Sequence, residues 1–508
     1  MWFRRVSPAL PSVAFLVLLN VLFRLPQLIN AGNVHSDAAI VGLQTEHLLR
    51  GEWSWFIWGT SYEGILDVLF LAPAFLIFGH GPLVLMAVPL ALHIVANLLA
   101  WDVLRRRLSP HRAFLLSLVL VFTPQAINGV ALYEPRQGSI TCMFAAIWFF
   151  DRASSWKHPP VALAAGAVLL PVGLYADLFV LQMVVVILVF GILTLWDERP
   201  SLKTAAVRVA AIAVPFGIGL LALRWIQRAA NVGETPTSLS WDQLGPNFHL
   251  LWDKCLGWVL GYKVYQPFIR SQPALWHPPG WFAVFQKVGA ALFVMLILSA
   301  LALVFARRIP WTLRRLGILG AGCAIASFVG FLLSTSPVDV WSARYLAPIV
   351  WMAPFALAPM AYRLTGRGAA VWLGPYLLTA AVGGWVSYAG SVDGFWPRLD
   401  PRGQAIDERE LGAILRSKGV RAGMADYWLA YRLTYLWDEV PVLAPFTGWE
   451  RYWPYREAAS RADPYVLVFH PMEPFSRPEP FEQALRERQV PYDKVVVGDF
   501  TALIVRRR

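Results

Sequence analysis

The sequence predicts a polytopic α-helical membrane protein carrying a small C-terminal α/β extracytoplasmic domain. Three observations predict it. The chain is 57% hydrophobic and only 15% charged over 508 residues, against about 25% charge in a soluble domain. Apolar stretches of spanning length recur along the first three quarters of the chain. After about residue 390 the pattern turns to short strands alternating with amphipathic helices. The 24 Trp and 30 Phe suit the headgroup belts of such a protein. The formal charge of +12 does not describe a nucleic-acid surface, because the arginines sit in short runs between apolar spans. Cys142, Cys255 and Cys323 are scattered and give neither a disulfide framework nor metal spacing.

A spanning helix needs roughly 20 apolar residues, and about eleven segments qualify. They lie near 8–27, 82–104, 113–132, 138–156, 160–176, 178–196, 206–224, 282–306, 316–334, 345–362 and 369–388. The first follows Arg4 and Arg5 without a small-residue cleavage site, so it reads as a retained span. The segment 64–79 is apolar but short and ends at Gly79-His80-Gly81-Pro82. It reads as a juxtamembrane or re-entrant helix in the first outer loop. With a cytoplasmic N-terminus, the inside loops collect Arg105–Arg107, Arg152, Arg199, Arg307, Arg308 and Arg363. The outer loops hold few bases, as the positive-inside rule requires. The outer segments 28–81, 123–138, 225–281 and 334–345 are the elaborate ones, which places the chemistry on the outer face.

The chain divides into a transmembrane domain, 1–390, and an extracytoplasmic α/β domain, 391–508, of about 115 residues, enough for its own core. A helix is expected from Arg402 to Lys418, closed by Gly419, and another capped by Asp426 and running through Tyr435. Strands are expected at Val420–Met424, Val440–Leu443, Tyr465–Phe469, Lys494–Val497 and Thr501–Val505, with a helix near 479–489.

The stretch Val34–Trp53 organises the candidate chemistry. Asp37 opens a short amphipathic helix that Gly51 stops. An exposed carboxylate there can accept a proton from a hydroxyl or amine; alternatively Ser36 or Asp37 N-caps the helix. Tyr62, Glu63 and Asp67 can face one cavity, with Glu63 and Asp67 on a shared helix face if the helix starts early enough. The alternative is an aromatic belt with solvated acids. Glu134 offers a second active-site acid and Arg136 a grip on phosphate, or the two form a solvated loop pair. Arg344, beside Tyr345, opposes the inside bias, so it either binds phosphate or snorkels to headgroups. Lys263 can add a second positive charge. Asp177 reads as a simple loop acid. His249 and His277 are too isolated for a metal site. No cofactor is therefore expected and a divalent metal is not indicated. There is no Gly-rich phosphate loop, so a donor carried on a membrane lipid fits better than a nucleotide sugar.

Ser36-Asp37-Ala38-Ala39-Ile40-Val41-Gly42-Leu43 with Leu48-Leu49-Arg50-Gly51-Glu52, then Tyr62-Glu63-Gly64 and Phe78-Gly79, resembles the first loop of bacterial family 39-like glycosyltransferases. These belong to the GT-C superfamily, with protein O-mannosyltransferases and lipid A aminoarabinose transferases. Ala343–Pro348 and Ala425–Arg432 also look like members of this group. The resemblance implies a hexosyltransferase-type enzyme of the bacterial inner membrane, with its C-terminal domain in the periplasm. It implies a polyprenyl-phosphate-linked sugar donor, a lipid, glycan or protein acceptor, and inverting displacement. It maps the first-loop acid onto Asp37 as general base, although Ala38 stands where many relatives have a second acid. The donor phosphate would fall to Arg344 or Arg136. Two rivals stand beside it. A lipid-linked-sugar flippase expects ionisable residues through mid-membrane, and the span centres carry few. A binding module of cell-envelope glycan assembly would depend on the domain after 390 rather than on Asp37.

Overall fold

The computed structural model describes residues 9–128, 136–195, 200–230, 238–264, 277–364, 366–388, 405–471 and 476–506. Each predicted span meets helix: Ala9–Phe23, Pro82–Arg105, Pro110–Val121, Gln137–Arg152, Pro159–Ala176, Leu181–Thr194, Leu202–Ala229, Gly280–Val304, Trp311–Leu333, Val340–Arg363 and Gly366–Tyr388. Among the described residues, seven helices are long and apolar enough to cross a membrane, and four shorter ones are also apolar. The chain is a multi-pass membrane protein. The Leu202–Ala229 helix buries only Ile212 and exposes Val207, Val214, Ile218 and Leu221, so it forms the lipid-facing rim.

Two predicted spans differ in form. The span expected over 113–132 stops at Val121, because Pro124 has no N–H to give and disfavours helix at Thr123. The span expected over 345–362 is not one rod. A 3₁₀ turn, Val340–Leu346, leads into Ala347–Trp351, Ala353–Ala356 and Ala358–Arg363. Pro348, Pro354 and Pro359 each sit in the first turn of a piece, where the missing N–H costs nothing. Val350 to Ala358 are buried in protein, where a broken backbone is tolerated at membrane depth.

The basic loops converge on one end of the bundle. Asp151, fully buried, takes Arg106 at 3.0 Å, Arg107, and Arg315 at 3.6 Å. Asp102 takes Arg105 and Arg152. The opposite end is reached along the Pro82–Arg105 helix, whose 24 residues span about 36 Å. There Leu85, Met86 and Leu90 enter the core of the C-terminal lobe.

That lobe is a five-stranded sheet in the order β2-β1-β3-β5-β4: β1 Ala422–Ala425, β2 Val442–Pro445, β3 Tyr465–Phe469, β4 Tyr492–Val497 and β5 Phe500–Val505. β2, β1 and β3 are parallel, with Ala422 level with Val442 and Tyr465. β5 runs antiparallel to β3 and β4. The helices Tyr427–Leu436 and Trp453–Arg461 are the crossovers parallel strands require; the second was not expected from the sequence. Period-two alternation sorts β3 cleanly. Leu467 and Phe469 pack with Leu485 on one face, while Val466 and Val468 enter a larger core on the other.

The larger core is shared with the segment after the first span, beside the smaller core the lobe forms from its own residues. Ile40, Leu43, Ile57 and Val68, between the first two predicted spans, pack in one cluster with Leu411, Leu429, Leu433 and Ala502 of the lobe. The Ser36–Leu49 helix lies directly on the Tyr427–Leu436 helix. Gly42 permits that approach, since a Cβ there would stand 2.6 Å from the Tyr435 ring. Ser36 Oγ donates to the Tyr427 carbonyl at 2.7 Å.

Candidate active site

Asp37 lies in the first turn of the Ser36–Leu49 helix, where the helix dipole favours a carboxylate. The cap is His35, whose Nδ1 accepts from the Ala38 N–H, so neither Ser36 nor Asp37 serves as the expected N-cap. The Asp37 carboxylate turns to the lobe instead. Tyr427 Oη donates to Asp37 Oδ1 at 2.5 Å. Arg451 Nε donates to Tyr427 Oη at 3.0 Å, and Arg451 Nη2 lies 3.6 Å from Asp37 Oδ1. The Asp37 side chain keeps 31% of its surface exposed, so a substrate can reach it. Arg451 is 17% exposed.

A second cluster lies behind it. Arg136 Nη1 donates to Asp177 at 2.5 Å and Arg136 Nη2 to Glu63 at 3.1 Å. The guanidinium also covers the Phe179 ring at 5.5 Å. All three charged side chains are buried. Glu63 is therefore not a solvated acid and Asp177 is not a simple loop acid. Local sequence does not show this, because Arg136 lies 73 residues from Glu63 and 41 from Asp177. Burial pushes the Glu63 carboxyl up to about 7; Arg136 opposes this and the nearby Asp177 adds to it. Glu63 also stands outside the Leu66–Phe78 helix, which starts too late for the expected face shared with Asp67. Asp67 does separate work. Its Oδ1 accepts the Gly138 N–H at 3.0 Å, capping the Gln137–Arg152 helix from another segment. Tyr62 is half-buried, and the charge of Glu63 together with burial pushes its phenol up to about 12.

The remaining predicted residues are placed elsewhere. Arg344 Nη2 donates to Tyr345 Oη at 3.4 Å and the guanidinium lies 5.2 Å from that ring. The Tyr345 carbonyl accepts from Gln182. Lys263 Nζ donates to the Asp253 carbonyl at 2.7 Å. Glu134 lies outside the described residues. Among the described residues the cation beside Asp37 is Arg451 rather than Arg344, Arg136 or Lys263. Among the described residues, no group of three or more His, Cys, Asp or Glu is disposed to hold a metal ion.

Tyr427 and Arg451 were missed by the sequence reading. A signal existed: each follows a predicted strand, at the carboxyl ends of β1 and β2, where open α/β sheets place binding residues. A polar clasp holds the lobe in place. Glu439 accepts from Arg50 and from Tyr455 at 2.6 Å, and lies 2.7 Å from His47 Nε2. His47 Nδ1 meets Glu52 at 2.7 Å, and Trp58 stacks on Tyr452 at 4.0 Å. Burial disfavours charge on both, but the bonds from His47, Tyr455 and Arg50 hold Glu439 down at about 2. Those from Glu439 and Glu52 raise His47.

No family model and no curated protein matches the sequence. Solved structures do match. ArnT from Cupriavidus metallidurans in the apo state superposes on 97% of this chain and 98% of its own, with a TM-score of 0.59 at 12% identity. The same protein bound to undecaprenyl phosphate covers 96% and 98%, with a TM-score of 0.58 at 13% identity. The arabinofuranosyltransferase AftD from Mycobacteria matches 99% of this chain but 40% of its own, with a TM-score of 0.52 at 11% identity. At such identities the likeness is one of fold, and the fold of this chain is that of ArnT and, over part of its length, of AftD.

Proposed function

We propose that the chain is a membrane glycosyltransferase of the hexosyltransferase type, moving a sugar from a polyprenyl-phosphate donor to a lipid, glycan or protein acceptor. Transfer takes place on the periplasmic face of a bacterial inner membrane, by inverting displacement, with Asp37 as general base. The observation that carries this reading is the Asp37 carboxylate: reachable, at a helix N-terminus beside the bundle, with one oxygen hydrogen-bonded and a cation alongside. The likeness in fold to a chain that holds undecaprenyl phosphate supports a lipid-borne donor.

In this reading the base orients and deprotonates the acceptor. The leaving phosphate needs a cation to stabilise its developing charge. We assign that role to Arg344, which has the Tyr345 ring against its guanidinium; Arg136 faces Glu63 and Asp177. Glu134 is assigned as a second acid. The bilayer holds the donor tail and supplies part of the orientation.

The test uses the purified chain in proteoliposomes with labelled polyprenyl-phosphate sugars and a panel of lipid, glycan and peptide acceptors. Asp37→Asn is expected to lower transfer by about 10²–10⁴-fold while the protein stays folded and still binds undecaprenyl phosphate. Normal turnover by that variant removes Asp37 as the base.

A further inference from the structure

We infer that the C-terminal lobe completes the catalytic centre: Tyr427 and Arg451 are positioning residues that set the Asp37 carboxylate, and they stand at the acceptor end of the reaction. This rests on the reading of Asp37 as general base.

Both residues bear on one oxygen. Tyr427 Oη donates to Oδ1 at 2.5 Å and Arg451 Nη2 approaches the same atom at 3.6 Å. Among the described residues no hydrogen bond reaches Oδ2. Oδ1 is thus the held oxygen and Oδ2 the one that can receive a proton. The Arg451–Tyr427 bond, 3.0 Å, fixes the phenol so that its own proton points at Asp37.

The arm that delivers Arg451 is built for the purpose. Its N–H donates to Tyr431 Oη at 2.6 Å, and Tyr431 donates to Glu450 at 2.6 Å. Thr447 Oγ1 donates to Asp426 Oδ2 at 2.6 Å, tying the end of β2 to the end of β1. Arg451 Nη1 then donates to the Gly59 carbonyl at 3.3 Å, in the first outer loop. Gly59 has φ +67°, and a Cβ there would lie 2.6 Å from Arg451 Cδ. A side chain held by its backbone, its neighbours and the opposite segment is ordered before substrate arrives.

Displacement holds the base and the leaving oxygen apart. The acceptor oxygen gives its proton to Oδ2 and forms the new bond to the anomeric carbon. The bond from that carbon to the phosphate oxygen breaks, and its electron pair leaves with the polyprenyl phosphate. With a hydrogen bond of about 2.8 Å and an approach of about 3.2 Å, the leaving oxygen lies about 6 Å or more from the base. Arg451 Nη2, 3.6 Å from Oδ1 with its Nη1 bonded to the Gly59 carbonyl, stands nearer the base than that, and we assign it to the acceptor side. A phosphate bound to Arg451 would occupy the acceptor's place and meet the Asp37 charge.

The experiment compares Tyr427→Phe, Arg451→Gln and Arg451→Lys in the full-length chain. Transfer kinetics are read in proteoliposomes, and donor-side binding is read with undecaprenyl phosphate alone. Tyr427→Phe and Arg451→Gln are expected to lower kcat at least tenfold, with KM for the donor and undecaprenyl phosphate affinity within twofold. Arg451→Lys should recover part of the loss, because it keeps a charge near Oδ1. A purely architectural contact would lower the unfolding temperature without that kcat-against-KM split. If Arg451→Gln weakens undecaprenyl phosphate binding tenfold, Arg451 belongs to the donor side and the inference fails. If Tyr427→Phe and Arg451→Gln keep full kcat while Asp37→Asn is inactive, the lobe is outside the centre and only this inference falls. Turnover by Asp37→Asn would instead remove the reading on which it rests.

Discussion

Glu63→Gln should abolish a pH-dependent loss of stability that the wild type carries. Burial lifts the Glu63 carboxyl from 4.5 to about 7 in the folded chain. The folded state therefore holds a proton that the unfolded state gives up. The penalty is absent below pH 4.5, grows as pH rises, and is complete above about 7. At 1.36 kcal/mol per tenfold, it reaches about 3 kcal/mol. Glutamine keeps an oxygen for Arg136 Nη2, and Arg136 keeps its 2.5 Å bond to Asp177. The variant therefore removes the ionisation without emptying the site. Denaturant unfolding in detergent, followed by tryptophan fluorescence at pH 4.5, 6 and 7.5, measures both proteins. The difference between them should open by about 3 kcal/mol across that range. The contribution of His47 is common to both and cancels. Parallel curves would show that the cost of burial does not sit on Glu63.

Three further outcomes follow from the packing. Gly42→Ala puts a methyl 2.6 Å from the buried Tyr435 ring and should cost about 1–3 kcal/mol, read in the same unfolding assay. Glu439→Gln should cost about 1.5–3 kcal/mol for the charged bond to His47, with less from Tyr455, which can still donate to the amide oxygen, and from the exposed Arg50. Wild type draws this stabilisation in full between pH 4.5 and 6.5; it fades as pH falls toward 2 through Glu439 and as it rises through the elevated His47. The Glu439→Gln deficit should therefore be largest near pH 6, by unfolding at stepped pH. Asp151→Asn removes the buried carboxylate on which Arg106, Arg107 and Arg315 converge and should cost about 3–5 kcal/mol. It should leave undecaprenyl phosphate affinity and transfer unchanged, because the site lies at the other end of the bundle.

The sequence by itself determined the membrane class, where the apolar helices fall and the strands of the lobe. Those follow from local quantities: apolar runs of bilayer length, period-two alternation, and glycines at helix ends. Proline spacing even marks where the Val340–Arg363 segment breaks, although a hydropathy reading joins its pieces into one span. The tertiary structure alone decided which charges meet. Arg451 reaches Asp37 across 414 residues of sequence, and Arg136 gathers Glu63 and Asp177 from two different loops. It also decided that the lobe shares its core with the first loop, through pairs such as Gly42 and Tyr435. Local patterns report which residues are buried, but a charge shows its partner only when folding brings two distant segments into one dehydrated space.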